Sequence, residues 1–132
     1  MEKKFINPPG LSTPRGYTHV VTATGGKMVF IAGQVAWDAK GEVVGKGDLR
    51  AQATQAYTNL KTALAAAGAT TADVVKMNTY VTDMEQAPAV REVRARYFGS
   101  TTPASTLVQV VKLARPELMI EVEVIAVVSA PR

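Results

Sequence analysis

The sequence has no cysteine, and that one absence removes disulfides, thiolate nucleophiles and zinc ribbons together. It has one histidine, His19, so no pair of imidazoles is available to ligate a metal or to share acid–base work. Aromatic residues are sparse, with one Trp, four Tyr and three Phe. None of them alternates with a basic stripe in the way a nucleic-acid reader requires. No apolar run approaches the roughly 18 residues that cross a bilayer. The basic residues near Met1 have no apolar stretch behind them, so no signal peptide is expected. The expected compartment is the cytoplasm, without a membrane partner.

What is present describes an ordinary globular chain. Of 132 residues, 47% are hydrophobic and 20% charged, enough apolar side chain for one domain over 1–132 with its own core. The net charge of +4 is scattered from Lys3 to Arg132. Its one local concentration is Arg91, Arg94 and Arg96, of which the first two are i,i+3 neighbours on a predicted helix. Such a cluster reads as a solvated helix face, and a nucleic-acid partner is not expected.

Punctuation and periodicity divide the chain. Pro8, Pro9, Gly10, Pro14 and Gly16 mark residues 5–16 as an irregular lead-in. The β-rich runs Val20–Thr24 and Lys27–Ala32, separated by Gly25-Gly26, predict a tight hairpin. Turn residues fill Asp38 to Gly47. Asp48 then offers an N-cap to a helix whose stripe is Leu49, Ala53, Ala56, Leu60, Ala63, Leu64 and Ala67, with Gly68 as its stop. A strand follows over Val74–Thr82, alternating in polarity. The second helix tolerates Pro88 in its first turn, turns Val90, Val93, Tyr97 and Phe98 inward, and ends at Gly99. Strands over Thr106–Leu113 and Leu118–Val128 complete the order β-β-α-β-α-β-β. An α+β sheet with two helices on one face is the expected architecture. The last strand is apolar on both sides, with Ile120, Val122, Val124, Ala126 and Val128 on one and Ile125 and Val127 on the other. A second packing partner is therefore expected, most economically another copy of the chain.

Three features invite a chemical reading. Gly45-Lys46-Gly47 resembles half of a dinucleotide fingerprint, but Arg50 stands at the third glycine position, so a loop into a helix is the better reading. His19, at the edge of a β-run, reads as a tolerated polar residue. Glu121 and Glu123 leave the same face of the last strand as Ile125 and Val127. Carboxylates on such a face point to a partner, a cleft or a cation. Proton relay or water holding and salt bridging, between subunits or on the surface, remain equally open for them.

A series of short motifs carries a family resemblance. They are Gly16-Tyr17, Val29-Phe30-Ile31-Ala32-Gly33-Gln34, Gln52, Asn59-Leu60 and Ala66-Ala67-Gly68. Asp73-Val74-Val75-Lys76, Tyr80-Val81-Thr82-Asp83-Met84, Pro103-Ala104 and Ile120 through Val127 follow in order. The chain resembles the Rid family of reactive-intermediate deaminases, also called the YjgF family and often labelled L-PSP endoribonucleases. The resemblance implies a chorismate-mutase-like fold and a homotrimer with small-molecule clefts between subunits. It implies hydrolysis of imines and enamines such as 2-iminopropanoate, with no cofactor and no metal. Tyr17 matches the family's cleft tyrosine, Gly33 its pocket glycine, and Glu121 the glutamate that positions the attacking water.

Three positions depart from the family pattern. The family's deaminases hold the substrate carboxylate with an arginine directly after Pro-Ala, where this chain has Ser105. A seryl hydroxyl cannot make the bidentate pair of a guanidinium. Leu107 stands where many members have a cysteine. Arg91 stands where many have a cleft-facing asparagine, which either brings a guanidinium into the pocket from another wall or leaves it in solvent beside Arg94. Three functions follow: a hydrolase of reactive imines, enamines or related metabolites with weak or no 2-iminopropanoate turnover; a non-catalytic binder of small carboxylate or imine-like metabolites; and, least favoured with one histidine, an endoribonuclease or translation inhibitor.

Overall fold

In the computed structural model, which describes residues 1–129, six strands and two helices occur in the order β1 (Glu2–Ile6), β2 (Val20–Thr24), β3 (Lys27–Val35), α1 (Leu49–Ala66), β4 (Val74–Val81), α2 (Ala87–Phe98), β5 (Ala104–Gln109) and β6 (Ile120–Val128). The α+β class is the one the sequence predicts, with one strand, β1, added in front. That strand corrects the reading of residues 5–16 as irregular from their start. Phe5 and Ile6 pair with Val21 and Val20 in an antiparallel two-stranded sheet.

The expected hairpin between β2 and β3 does not form. β2 pairs with β1, while β3 joins the main four-stranded sheet, whose order is β3-β6-β4-β5. The reason lies in burial: β2 is almost wholly exposed, whereas β3 turns Val29 and Ile31 into the same core as Val124 and Ala126 of β6. Gly25-Gly26 changes direction between two sheets and not within one. β4 and β5 run parallel, with α2 as the crossover between them. β6 inserts antiparallel between β3 and β4. The strand predicted over Thr106–Leu113 starts two residues earlier and stops at Gln109.

Helix α1 begins where the sequence places it. The Asp48 side chain accepts a hydrogen bond from Ala51 N at 3.1 Å, the ordinary N-cap arrangement. Its buried face carries Leu49, Ala53, Ala56, Leu60 and Leu64, with Gln52 and Tyr57 added. Gln52 is fully buried and ties three backbone segments together. Its Nε2 donates to the carbonyls of Gly45 and Glu117 at 3.2 and 2.7 Å, and its Oε1 accepts from Met119 N at 2.7 Å. Both helices share one apolar core with the inner face of the sheet. A smaller cluster of Val35, Ala36 and Leu118 lies against Trp37, Val43 and Leu113.

The other face of the main sheet is left partly uncovered. Phe30 is 68% and Met28 59% exposed at the β3 edge, and Val108 is exposed at the opposite, β5 edge. No helix of the described residues is long and apolar enough to cross a membrane.

Candidate functional site

The lead-in carries Tyr17 to the sheet because Thr18 is anchored there. Thr18 N donates to the Pro103 carbonyl at 3.0 Å, and its buried hydroxyl donates to the Thr102 carbonyl at 2.6 Å. His19 reinforces the same loop. Its Nε2–H donates to the Ser12 carbonyl at 2.7 Å, its backbone N–H donates to Asn7 Oδ1, and its ring meets the Tyr17 ring edge-on at 5.2 Å. The one histidine is thus a loop fastener.

Beside these anchors lies an open cavity of about 420 Å³ lined by Thr13, Arg15, Tyr17, Arg91, Arg94, Ser105 and Leu107. Four of the six positions that the family resemblance sets at the cleft, Tyr17, Arg91, Ser105 and Leu107, therefore meet in one place. Arg91 is on the pocket wall and not only beside it. Ser105 and Leu107 lie on β5 in register with Met77 and Thr79 of β4, whose side chains are buried in the core. They belong to the helix-covered face of the sheet.

Gly33 and Glu121 meet elsewhere. The register of β3 against β6 shifts between Ile31 and Gln34, a bulge that re-aims the chain at Gly33. A Cβ on Gly33 would overlap the Glu121 carboxylate, lying 2.7 Å from Glu121 Cδ. Glu121 is in register with Tyr80, which in turn lies beside the exposed Val108. Glu121 therefore leaves the open face of the sheet, and Ser105 the opposite one. The sheet itself separates the two halves of the candidate site within one chain.

Glu123 also lies on the open face, where its Oε1 accepts from Tyr80 Oη at 2.7 Å and from Asn78 Nδ2 at 3.2 Å. That hydrogen bond raises the Tyr80 phenol above the ordinary tyrosine range, with desolvation and the charges of Glu123 and Glu121 acting in the same direction.

Arg94 corrects the reading of the arginine cluster as a solvated face. It is only 8% exposed, and among the described residues no carboxylate lies within ion-pair distance of it. Arg96, by contrast, pairs with Glu92, as does Arg50. Burial pushes the Arg94 pKa down; nearby Tyr57 opposes that shift and Arg91 adds to it. Gly16 makes room for the guanidinium: it holds a left-handed φ of +75°, and a Cβ there would stand 2.7 Å from Arg94 Nη2. A signal for this burial was present in the sequence. Val90, Arg94 and Phe98 recur at intervals of four, which places Arg94 on the apolar stripe.

Gly45-Lys46-Gly47 is explained by packing. Gly45 has a φ of +77°, and a Cβ there would lie 2.7 Å from that of Ala51. Arg50, at the third fingerprint position, pairs with Glu92. The loop is a tight entry to α1.

Residues 10–128 match the endoribonuclease L-PSP family. A RutC family protein of Pyrococcus horikoshii is 41% identical over 126 residues, covering 94% of this chain and 97% of its own. A 2-iminobutanoate/2-iminopropanoate deaminase of Dermatophagoides farinae is 32% identical, with 96% and 98% covered. The crystal structure of a Rid-family protein of unknown function from Yersinia pestis superposes with a TM-score of 0.89 at 42% identity, covering 97% of this chain and all of the other. With the fold, the motifs and these relatives in agreement, the chain belongs to the endoribonuclease L-PSP family, the Rid or YjgF family of its structural neighbours.

Proposed function

We propose that the protein is a homotrimer with a small-molecule cleft between subunits, hydrolysing reactive imines, enamines or related metabolites, with weak or no turnover of 2-iminopropanoate. The observation that carries this reading is the meeting of Tyr17, Arg91, Ser105 and Leu107 in one pocket, while Glu121 leaves the opposite face of the sheet. A single chain cannot bring Glu121 to that pocket, whereas a second copy docked on the open face can. The exposed Phe30 and Met28 on that side supply apolar surface for such a contact.

In the reaction, water adds to the C=N carbon, the C–N bond breaks, and the products are a carbonyl compound and ammonia. Glu121 of the adjoining copy is placed in the role of the group that holds the water and accepts its proton during attack. Tyr17 lines the substrate side and can hydrogen-bond to the imine or to the oxygen that replaces it. A charge-assisted contact to the substrate carboxylate is worth roughly 1.5–3 kcal/mol, or about tenfold to a hundredfold. Ser105 cannot provide it at the family's position, and the pocket's guanidiniums stand on α2 and the lead-in instead, so turnover of the simplest monocarboxylate imine is expected to be poor.

Freshly generated imines of several amino acids, incubated with the protein while ammonia release is followed, test the reading. Faster release from some imines, abolished in Glu121→Gln with the trimer intact, is the expected result. No acceleration on any imine would leave the second reading, a binding trimer without catalysis, which Ser105 favours. Turnover of 2-iminopropanoate equal to that of an arginine-bearing relative would overturn the role given to Ser105.

A further inference from the structure

Among the described residues, Arg94 is a buried cation without a buried counter-charge. Taking a guanidinium out of water is costly unless an anion and hydrogen bonds compensate it. The core offers little: the buried hydroxyls of Tyr57 and Thr79 have no hydrogen-bond partner among the described residues, and neither carries negative charge at neutral pH. Burial moreover raises the Tyr57 phenol well above its ordinary pKa, so it stays neutral.

The surroundings of Arg94 add positive charge. Arg15 and Arg91 line the same cavity. All three arginines also line a contiguous one of about 270 Å³, reaching along α2 to Gly99 and Thr102. Among the described residues no Asp or Glu lines either cavity. Elsewhere on α2 the pattern differs, because Glu92 neutralises the exposed Arg96 and also binds Arg50. The one acidic residue of the helix is thus spent outside the pocket. The neutral donors inside it are the hydroxyls of Thr13, Tyr17 and Ser105.

Accepting the pocket as the ligand site of the function proposed above, we propose that it selects small dianions, with Arg94 as the inner anchor and Arg91 and Arg15 receiving the second charge at the mouth. With Glu121 of the adjoining copy supplying one negative charge, a ligand with a single carboxylate would still leave one of the three guanidiniums unanswered. Two negative groups on one small molecule, together with that Glu121, answer all three, each ligand group through forked, charge-assisted hydrogen bonds. A dicarboxylate and a phosphate monoester share this chemistry. Substrates would then be imines of acidic or phosphorylated carbon skeletons rather than 2-iminopropanoate itself.

Calorimetric titration of the full chain at low ionic strength, with pyruvate, succinate and glycerol 3-phosphate as probes, tests the assignment. At least one of the two dianions is expected to bind about tenfold or more tightly than pyruvate, and the stronger of them identifies the source. Arg94→Met should abolish binding of all three. Arg94→Lys, which keeps the charge but not the fork, should weaken it, and it serves as the second variant if the apolar replacement does not fold. Arg15→Ala, on the exposed lead-in, should reduce the preference for the dianion over pyruvate. Pyruvate binding as tightly as both dianions would overturn the proposal, as would unchanged affinity in both Arg94 variants. Ammonia release measured on the same preparations separates this inference from the reaction. Hydrolysis with no anion binding would sink the dianion pocket alone, and dianion binding with no hydrolysis would sink the catalytic reading alone.

Discussion

Gly33 and Glu121 occupy space that only a glycine leaves free: a Cβ on Gly33 would come within 2.7 Å of Glu121 Cδ and 3.0 Å of its Cγ. The bulge in β3 sets this approach, and it holds the carboxylate against backbone. Gly33→Ala must therefore move the end of a flexible side chain, which costs the fold little but changes where the carboxylate points. We expect stability to change by less than about 1 kcal/mol in a urea titration. Any imine turnover should fall about a hundredfold, the usual cost of a misplacement near 1 Å. A variant with full turnover would show that the position of Glu121 is not used.

The open face of the sheet predicts assembly. Phe30, 68% exposed in the isolated chain, would be covered on trimer formation, and burying a Phe is worth about 1.5–3 kcal/mol. Phe30→Glu removes that term in every copy and asks a carboxylate to desolvate. Light scattering at micromolar concentration should give a trimer mass for the wild type and a monomer mass for the variant, with unchanged circular dichroism. A monomeric wild type would remove the composite site altogether.

Gln52 is expected to be the most sensitive polar residue of α1. Its three hydrogen bonds, to Gly45, Glu117 and Met119, lie at a fully buried position. Gln52→Ala leaves one N–H and two carbonyls without that partner, a loss of about 2–4 kcal/mol allowing for relaxation. Denaturant unfolding measures it directly. A loss below about 1 kcal/mol would mean that water replaces the amide.

Tyr80 makes stability depend on alkaline pH. Its phenol is raised above the ordinary value of 10.0, first by the hydrogen bond to Glu123. The folded state thus favours the protonated form. The resulting stabilisation is complete below pH 10 and is lost as pH rises through the raised value. Tyr80→Phe should flatten the alkaline fall of the thermal midpoint relative to wild type. Parallel curves for the two proteins would show that the bond contributes nothing in solution.

Much of this molecule was legible along the chain. Asp48 starts α1 where expected, Pro88 and Gly99 bound α2, and the last strand carries its two-sided apolar pattern at the centre of the sheet. These features are local: a cap, a ring that cannot donate, and a period of two are each decided within a few residues. Partnerships between distant segments were decided only by tertiary structure. Gly25-Gly26 predicts a hairpin of β2 with β3, yet β2 pairs with β1, because β3 turns Val29 and Ile31 into the core beside β6 while β2 stays exposed. Arg94 looked like its neighbours Arg91 and Arg96, yet packing α2 on the core sends it inward, where Gly16 leaves space for it. Ser105 and Glu121 each stood out in the sequence. Only the register of β5 on β4, and of β4 on β6, sets them on opposite faces of one sheet, since a one-residue change in register would reverse the side on which either emerges.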